Sequence, residues 1–450
     1  MKIAVISPDS KAVNVVRQLL SPWHVDFPNL DEADVVVAYK TLKDTGKATV
    51  IIPHETAGFH RWLKEYHLTA VDTIRKKLKV PATNTLLLPL APQTQRFYMK
   101  FSYQKITEND TLATQIDDTT FLLPVDIIEE YGLKLSQTLN PRVSSIYRFL
   151  TGLPIPYTLA PSKIRDFLFG AGKVGYDDSY LDHLDLDALR YLLLWAIQEV
   201  TGEFIRRKTW EGHGYACLLT HDIDTREGLQ RALALKRMEE RYDVPSAWFL
   251  PTDRYKLDSE VILKLANHGE IGAHGTKHDG KLIRLSIEEI VDRLSEAKRI
   301  LETTVGQDVV GFRAPLLQHN ERIIQGLRKA GYSYDASIPT WEPKHPSTIS
   351  PRGIGTVYPL KMDGIVEIPI SLMQDHQMIH VLGMNSRQIV EKWLDMREII
   401  KELGGICTTL VHPDYELASQ EGLESYEELL NGINADNQAF VTIPSQISMK

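Results

Sequence analysis

Apolar and polar positions near the start of the chain follow two different spacings. Short continuous apolar runs bounded by polar or turn-forming residues are typical of buried strands. Such runs, with one alternating segment, predict strands at Ile3–Ile6, Val35–Ala38, Val50–Ile52, Leu86–Leu90 and Phe97–Phe101. Between the first two strands, apolar residues recur at three- and four-residue spacing from Val13 to Leu20, which predicts a helix. The pattern indicates an α/β region.

Two further helical patterns end the N-terminal half of the chain. One covers residues 125–139, and a stronger one covers Asp187–Lys208 with Asp187 as its N-cap. We therefore predict an N-terminal α/β accessory domain over residues 1–205. The sequence also allows this domain to be divided into two parts, 1–105 and 106–205. A role in substrate binding, in closing a groove or in oligomer formation is left open.

From Tyr215 onward, strands and helices alternate regularly. The predicted strands are Ala216–Thr220, Ser246–Leu250, Ile271–Ala273, Val309–Phe312, Val366–Ile370, Ile406–Val411 and Ala439–Ile443. The clearest helices are Ser286–Leu301, which begins with a capping box formed by Ser286 and Glu289, and Ser386–Leu403. Regular alternation of short strands and helices predicts a parallel barrel of the TIM type, perfect or incomplete, over residues 206–450. Catalytic groups of such barrels lie at the C-terminal ends of the strands.

Charge and composition exclude several classes of protein. The net charge of −8 argues against nucleic-acid binding through bulk charge. No window approaches the roughly 18 apolar residues of a spanning helix, so we expect no membrane span. The start, Met1–Pro8, has the pattern of a strand and a turn rather than a signal peptide, and we expect a cytoplasmic location. With only Cys217 and Cys407, we expect no disulfide framework.

The first barrel strand leads into two carboxylates. Thr220–Asp224 reads T-H-D-I-D, and side chains alternate along a strand, so Asp222 and Asp224 share one face. At a barrel mouth, one carboxylate can bind a metal ion while the other acts as a base. Alternation alone does not decide which aspartate is the metal ligand and which is the base. A simpler alternative is that both belong to a solvated acidic turn with no catalytic role.

A pair of histidines follows the third barrel strand. His274 and His278 are four residues apart, so they lie on one face of a helical turn and can bind one cation. Two imidazoles and one carboxylate with open coordination positions suit a catalytic zinc or a similar divalent ion.

Three later segments add polar groups at predicted strand ends. Gly311–Pro315 contains Arg313, whose guanidinium can orient a carboxylate bidentately. Asp335 follows in the segment Tyr334–Ser337. His412, at the end of a late strand, is suited to act as a general acid near neutral pH.

Taken in order, these five segments resemble the motifs of the NodB-homology polysaccharide deacetylases, carbohydrate esterase family 4. Thr220–Asp224 stands where the family has T-F-D-D, and His274–His278 where it has H-S/T-x-x-H. The remaining three are similar to its R-x-P, D-x-S and L-x-H motifs, at Arg313–Pro315, Asp335–Ser337 and Leu410–His412. Two positions depart from the family pattern: Ile223 separates the aspartates, and Gly275 replaces Ser or Thr.

The resemblance implies a distorted (β/α) barrel of the TIM-like NodB type that removes the acetyl group of an N-acetylated amino sugar. It implies one divalent metal ion held by Asp224, His274 and His278, with zinc expected first and cobalt, nickel or manganese as alternatives. The expected substrate is soluble or linked to a precursor inside the cell, and the sequence does not indicate an oligomeric state.

The resemblance also implies the catalytic roles. Asp222 would be the base and His412 the acid, while Arg313 would orient Asp222 and Asp335 would pair with His412. The reversed assignment, with Asp222 as ligand and Asp224 as base, stays open. So do two other functions: hydrolysis of another linear or cyclic amide in a small metabolite, and non-catalytic binding by a retained barrel.

Overall fold

The chain forms two compact units. The computed structural model describes residues 1–41, 45–52, 72–74, 85–89, 96–100, 113–123, 126–140, 184–342 and 353–448. Unit 1 is Met1–Ser136 with Asp182–Lys208, and unit 2 is Gln137–Leu181 with Thr209–Lys450. The domain limits predicted from the sequence stay predictions.

Unit 1 contains a mixed sheet of six strands and a separate pair. Its strands are β1 (Ile3–Ile6), β2 (Val35–Tyr39), β3 (Ala48–Ile52), β4 (Asp72–Ile74), β5 (Thr85–Pro89), β6 (Arg96–Lys100), β7 (Ala113–Asp117) and β8 (Thr120–Leu122). Strands β1, β2, β3 and β8 are parallel neighbours, and β7 and β4 extend the sheet antiparallel. Strands β5 and β6 pair antiparallel. The five strands predicted here are confirmed as β1, β2, β3, β5 and β6.

The helices near this sheet are α1 (Ser10–Leu20), α2 (Ile127–Leu139) and α3 (Asp185–Thr201). The predicted N-cap of α3 is wrong. Asp187 lies inside the first turn and is fully buried, and its carboxylate is 3.1 Å from Nε of Arg190. Arg190 in turn donates to the carbonyl of Gln18 at the end of α1. Leaving the buried charge of Arg190 unpaired would cost more free energy than leaving the helix without a side-chain cap. The carboxylate of Asp187 therefore pairs with Arg190 instead of capping α3. The first residue of the predicted α2, Val125, lies outside the described residues.

Unit 2 is built on a nine-stranded, mainly parallel sheet. Its strands are β9 (Tyr215–Asp222), β10 (Ser246–Leu250), β11 (Gly269–Ala273), β12 (Gly311–Phe312), β13 (Tyr334–Asp335), β14 (Leu360–Met362), β15 (Ile365–Glu367), β16 (Ile406–Thr408) and β17 (Ala439–Thr442). The order is β14-β15-β13-β12-β11-β10-β9-β16, and β17 also pairs with β9. Only the β14–β15 ladder is antiparallel. The seven predicted strands are present, although β12, β15 and β16 are shorter than predicted. Strands β13 and β14 were missed because neither contains a run of consecutive apolar residues.

An irregular segment brings the two ends of this sheet together. The backbone N–H of Leu372, which follows β15, donates to the carbonyl of Thr408 in β16 at 3.2 Å. The hydroxyl of Ser371 donates to the carbonyl of Ile406 at 2.6 Å. The sheet therefore curls into a barrel whose last junction lacks a regular ladder, and the predicted distorted (β/α) barrel is confirmed.

Helices connect the barrel strands. They are α4 (Arg226–Arg241), α5 (Ser259–Ala266), α6 (Ile287–Val305), α7 (Glu321–Lys329), α8 (Asp375–His380), α9 (Ser386–Leu403), α10 (Gln420–Asn434) and α11 (Pro444–Ser448). The predicted capping box of Ser286 and Glu289 starts α6, and Gly404 ends α9 in the left-handed conformation, with φ of 67°. Among the helices that the structure describes, none is long and apolar enough to cross a membrane.

The barrel interior sets the direction of the strand-end side chains. Ala216 and Leu218 of β9 pack in one buried apolar cluster with Phe249 of β10 and Tyr334 of β13. Side chains two residues apart on a strand share a face, so Thr220 and Asp222 continue the inward row to the C-terminal end of β9. By the same rule, the next inward-facing side chain is that of Asp224, two residues beyond the end of β9.

Candidate active site

Two histidines and one aspartate meet at the C-terminal ends of β9 and β11. Nε2 of His278 is 3.0 Å, and Nε2 of His274 is 3.5 Å, from Oδ1 of Asp224. One ligand-type atom from each of the three residues lies within 4.8 Å of the other two. Both imidazoles are buried, while Asp224 remains partly accessible. The structure thus brings together the three residues expected to bind a metal, although residues 274–278 form an irregular turn rather than the expected helical one.

Protonation states in this group suit metal ligation. Nδ1 of His274 is 2.9 Å from the carbonyl of Arg313, which can only accept, so in the neutral ring the proton is on Nδ1 and the lone pair is on Nε2. Burial would raise the pKa of Asp224, but when the imidazoles are protonated, the charge of His278 and hydrogen bonds from both rings hold this pKa well below its usual range. Burial lowers the pKa of His278 despite the nearby carboxylate. A carboxylate and neutral imidazoles are the forms that bind divalent metals.

The glycine that departs from the family pattern lies in the turn between the two histidines. Gly275 has a φ of 71°, in the left-handed region that glycine enters without steric cost. A Cβ at this position would lie 3.3 Å from the ring of Pro315. Glycine therefore suits this turn both in its backbone conformation and in the space that it leaves for Pro315. The turn places His274 and His278 on the same side.

Arg313 holds the second aspartate from inside the barrel. Its fully buried guanidinium donates through Nη1 to Oδ1 of Asp222 at 3.1 Å and to the hydroxyl of Thr220 at 2.8 Å. Its Nε donates to the carbonyl of Ala336 at 2.7 Å. The expected bidentate pairing is wrong, because the guanidinium divides its donors among three partners. Oδ2 of Asp222 still lies 3.9 Å from Nε2 of His274, so this carboxylate adjoins the histidine pair.

His412 is held by an aspartate that the sequence reasoning missed. Its Nδ1 is 2.6 Å from Oδ1 of Asp375, the first residue of α8, and its backbone N–H donates to Oδ2 at 2.7 Å. Burial would lower the pKa of His412, but Asp375, with smaller contributions from Asp222 and Asp224, raises it to about 10. The expected pairing of Asp335 with His412 is therefore wrong.

Asp335 instead faces another carboxyl group inside the barrel. It is in register with Glu367 on the neighbouring strand β15, and Ser337 donates to it. Burial raises the pKa of Asp335 to about 7 against opposing hydrogen bonds from Ser337 and Glu367. Burial and the charge of Asp335 raise the pKa of Glu367 well above its usual range. Ionising both of two adjacent buried carboxyl groups would bring two negative charges together away from water, at a high cost in free energy. This pair therefore retains a proton.

Comparison with known proteins identifies this part of the chain. Residues 215–334 match the family model described as polysaccharide deacetylase. This segment is similar to the polysaccharide deacetylases. The resemblance predicted from the five motifs is confirmed, although two of the five, Asp335–Ser337 and Leu410–His412, lie beyond the matched residues.

Two curated relatives support the same family. A peptidoglycan deacetylase of Helicobacter pylori is 28% identical over 112 residues, which are 25% of this chain and 37% of that protein. A peptidoglycan deacetylase-like protein of Gibberella zeae is 26% identical over 147 residues, 31% of this chain and 43% of that protein. The chain thus spans less than half the length of these relatives.

Solved structures show a weaker similarity. A putative polysaccharide deacetylase from Mycobacterium smegmatis has a TM-score of 0.46 at 20% identity, covering 54% of this chain and 92% of that one. A probable polysaccharide deacetylase from Pseudomonas aeruginosa has a TM-score of 0.42 at 16% identity, covering 53% and 92%. These values are too low to bear on function.

The sequence also failed to predict Asp414, which positions the candidate metal ligand Asp224. Asp414 accepts from the backbone N–H of Asp224 at 3.1 Å and from the hydroxyl of Thr225, the N-cap of α4. Asp414 lies in a turn two residues after His412, where strand alternation gives no signal. Asp375 carried no such signal, because it begins a six-residue helix after an irregular segment.

Proposed function

We propose that this protein is a metal-dependent hydrolase that removes the acetyl group from an N-acetylated amino sugar. One observation carries the proposal. A cluster of two imidazoles and a carboxylate lies beside Asp222, which Arg313 holds, and within electrostatic reach of His412, which Asp375 holds. Hydrolysis of an amide needs a base for the attacking water and an acid for the departing nitrogen, and these two groups have those properties.

The proposed metal ligands are Asp224, His274 and His278. One carboxylate and two imidazoles fit a catalytic zinc, and also cobalt, nickel or manganese, with positions left for water and substrate. A divalent ion bound there supplies Lewis acidity, which polarises the acetyl carbonyl and makes a water molecule easier to deprotonate. Asp224 is favoured over Asp222 as the ligand, because Asp222 is already engaged by Arg313.

The remaining residues then have defined tasks. Asp222 takes a proton from the attacking water, while Arg313 keeps its carboxylate oriented. As the C–N bond breaks, His412 gives a proton to the nitrogen, so the products are acetate and a primary amine. Asp375 keeps the proton on Nδ1 of His412 and thereby leaves Nε2 to serve the substrate. Asp335 takes no part in the reaction in this scheme and instead forms the buried carboxyl pair with Glu367.

The direct test is acetate release by the purified full-length chain, loaded in turn with zinc, cobalt, nickel and manganese. Substrates would include N-acetylglucosamine, its short oligomers, peptidoglycan fragments and simple linear and cyclic amides. Release of acetate from an acetylated sugar, abolished by a chelator and restored by metal, is the expected result. Protein that binds metal yet releases no acetate from any acetylated sugar would overturn the proposal. The cytoplasmic location remains a prediction, which cell fractionation would test.

A further inference from the structure

A second histidine pair lies next to the candidate active site. His376 and His380 occupy α8 at a spacing of four residues, and their ring centres are 4.8 Å apart with a tilt of 53°. The pair proposed to bind the catalytic metal, His274 and His278, has the same sequence spacing, a ring separation of 5.2 Å and a tilt of 49°. The two pairs are therefore nearly alike in their mutual geometry.

This separation is compatible with a shared metal ion. Two imidazoles bound to one tetrahedral ion through bonds of about 2.0–2.1 Å have their ring centres about 5 Å apart. Their four-residue spacing on one helix places both side chains on the same face, where one ion can reach both. The pair on α8 thus needs little rearrangement to bind an ion.

Neighbouring groups hold the pair while leaving it accessible. His380 is exposed and His376 is half-buried, so an ion can arrive from solvent. The ring of Tyr415 lies 5.6 Å from the ring of His376 and 5.1 Å from that of His380, which limits the rotamers of both. His376 is also anchored in the first turn of α8, next to Asp375.

We propose that His376 and His380 bind a second divalent cation of the zinc, cobalt, nickel or copper type. Water completes its coordination, because among the described residues only Asp224, His274 and His278 form a cluster of three or more histidine, cysteine, aspartate or glutamate ligands. A site with two imidazoles and no carboxylate binds more weakly than that cluster and prefers metals that favour nitrogen ligands.

The position of this site gives it a regulatory consequence. The ring of His376 is 6.4 Å from that of His412, so a cation on α8 lies beside the proposed acid. A positive charge there disfavours the protonated imidazole that must donate to the leaving nitrogen. Metal in excess of the first equivalent therefore inhibits the enzyme. This consequence rests on the proposed function, whereas the binding site itself does not.

The test is metal stoichiometry measured on the full-length chain by calorimetric titration with Co²⁺ and Zn²⁺, followed by dialysis and elemental analysis. Compared with wild type, His380→Ala should lose one weakly bound equivalent and keep the tight one. Asp224→Ala should show the reverse, losing the tight equivalent and keeping the weak one. The control His24→Ala removes an exposed histidine of unit 1 and should bind as wild type does. Because the readout is a difference between variants, other histidines of the chain do not affect it.

His380→Ala binding the same number of ions as wild type, with the same affinities, would overturn the second site. His380 is exposed, so the variant should fold, and circular dichroism checks this. His376→Ala provides a second variant that must lose the same weak equivalent. If the site exists and the chain is a deacetylase, inhibition by excess metal disappears in His380→Ala. Failure to release acetate would leave the stoichiometry result intact, so the two proposals can fail separately.

Discussion

Asp375 holds His412 at two points, one on the ring and one on the backbone. Oδ1 of Asp375 is 2.6 Å from Nδ1 of the imidazole, and Oδ2 accepts from the backbone N–H at 2.7 Å. This double contact fixes both the position and the tautomer of the ring. It also supplies the negative charge that raises the pKa of His412 to about 10, although burial alone would lower it.

Asp375→Asn should shift the pH dependence of acetate release. With its counter-charge removed, the pKa of His412 falls, so the protonated acid is lost at lower pH than in wild type. The alkaline limb of kcat/KM against pH should therefore move to lower pH, and the rate at pH 8 should fall by up to about 10²-fold. The control Asp395→Asn, at an exposed position of α9, should leave the profile unchanged. An unmoved alkaline limb in Asp375→Asn would contradict the role given to this pair.

Asp222→Asn and Asp224→Asn should separate the base from the metal ligand. Asp222→Asn should reduce acetate release by about 10²- to 10⁴-fold and retain one tightly bound zinc, because it removes a proton acceptor but no ligand. Asp224→Asn should weaken zinc binding by at least about tenfold. Acetate assays paired with elemental analysis of the dialysed proteins make the comparison. The opposite pattern would restore the reversed assignment that the sequence left open.

Arg313→Met should destabilise the fold far more than removal of a surface arginine. Arg313 and Asp222 are both buried, and losing one member of a buried ion pair costs about 3–5 kcal/mol because the other charge is left unpaired. Arg328 makes a similar 2.8 Å contact with Asp363, but both side chains are exposed, so Arg328→Met should cost about 1 kcal/mol or less. Urea unfolding of the two variants measures the difference. Equal losses of stability would show that the buried pair does not support the barrel.

Asp335→Asn should make stability less dependent on pH. The pKa of Asp335 in the folded protein, about 7, lies above the value of about 3.9 for an exposed aspartate, so the folded state binds this proton more tightly. The stabilisation from this proton is fully present below pH ~4 and is lost as the pH rises through ~7, a change on the order of a few kcal/mol. Asparagine mimics the protonated form and removes this dependence.

The measurement for Asp335 is the free energy of unfolding of metal-free protein from pH 4 to pH 8. The control Asp308→Asn changes an exposed aspartate and should keep the wild-type slope. If Asp335→Asn also kept that slope, the carboxyl pair with Glu367 would not retain a proton in the folded protein.

Local sequence patterns correctly predicted the direction of a site side chain where the strand that carries it sets that direction. Asp222 and Asp224 share a side because strand residues alternate. His274 and His278 also meet, but not through the expected helical turn, because Gly275 and His278 have positive φ values of 71° and 48°. Asp375 could not be found in this way. Its contact with His412 exists only because Ser371 and Leu372 join β16 to close the barrel.

The same limit explains why Asp335 was given the wrong partner. Its segment follows a strand and matches a family motif, which made it appear to belong to the rim. The strand β13 has only two residues, however, and its register with β15 directs Asp335 toward Glu367. A strand of two residues is too short to show an alternating pattern in the sequence. Its register with a neighbouring strand is fixed only in the folded sheet, so the local sequence could not predict the partner of Asp335.

The neighbours of β9 have a consequence for the slowest motions of the protein. Its backbone is hydrogen-bonded to β10 on one edge, and on the other edge the N–H of Asp222 donates to the carbonyl of Val411. Amide protons bonded in this way exchange with solvent only when large parts of a domain open. The strand that carries the proposed base should therefore be among the last to become labelled in hydrogen–deuterium exchange, while loops at the rim exchange freely.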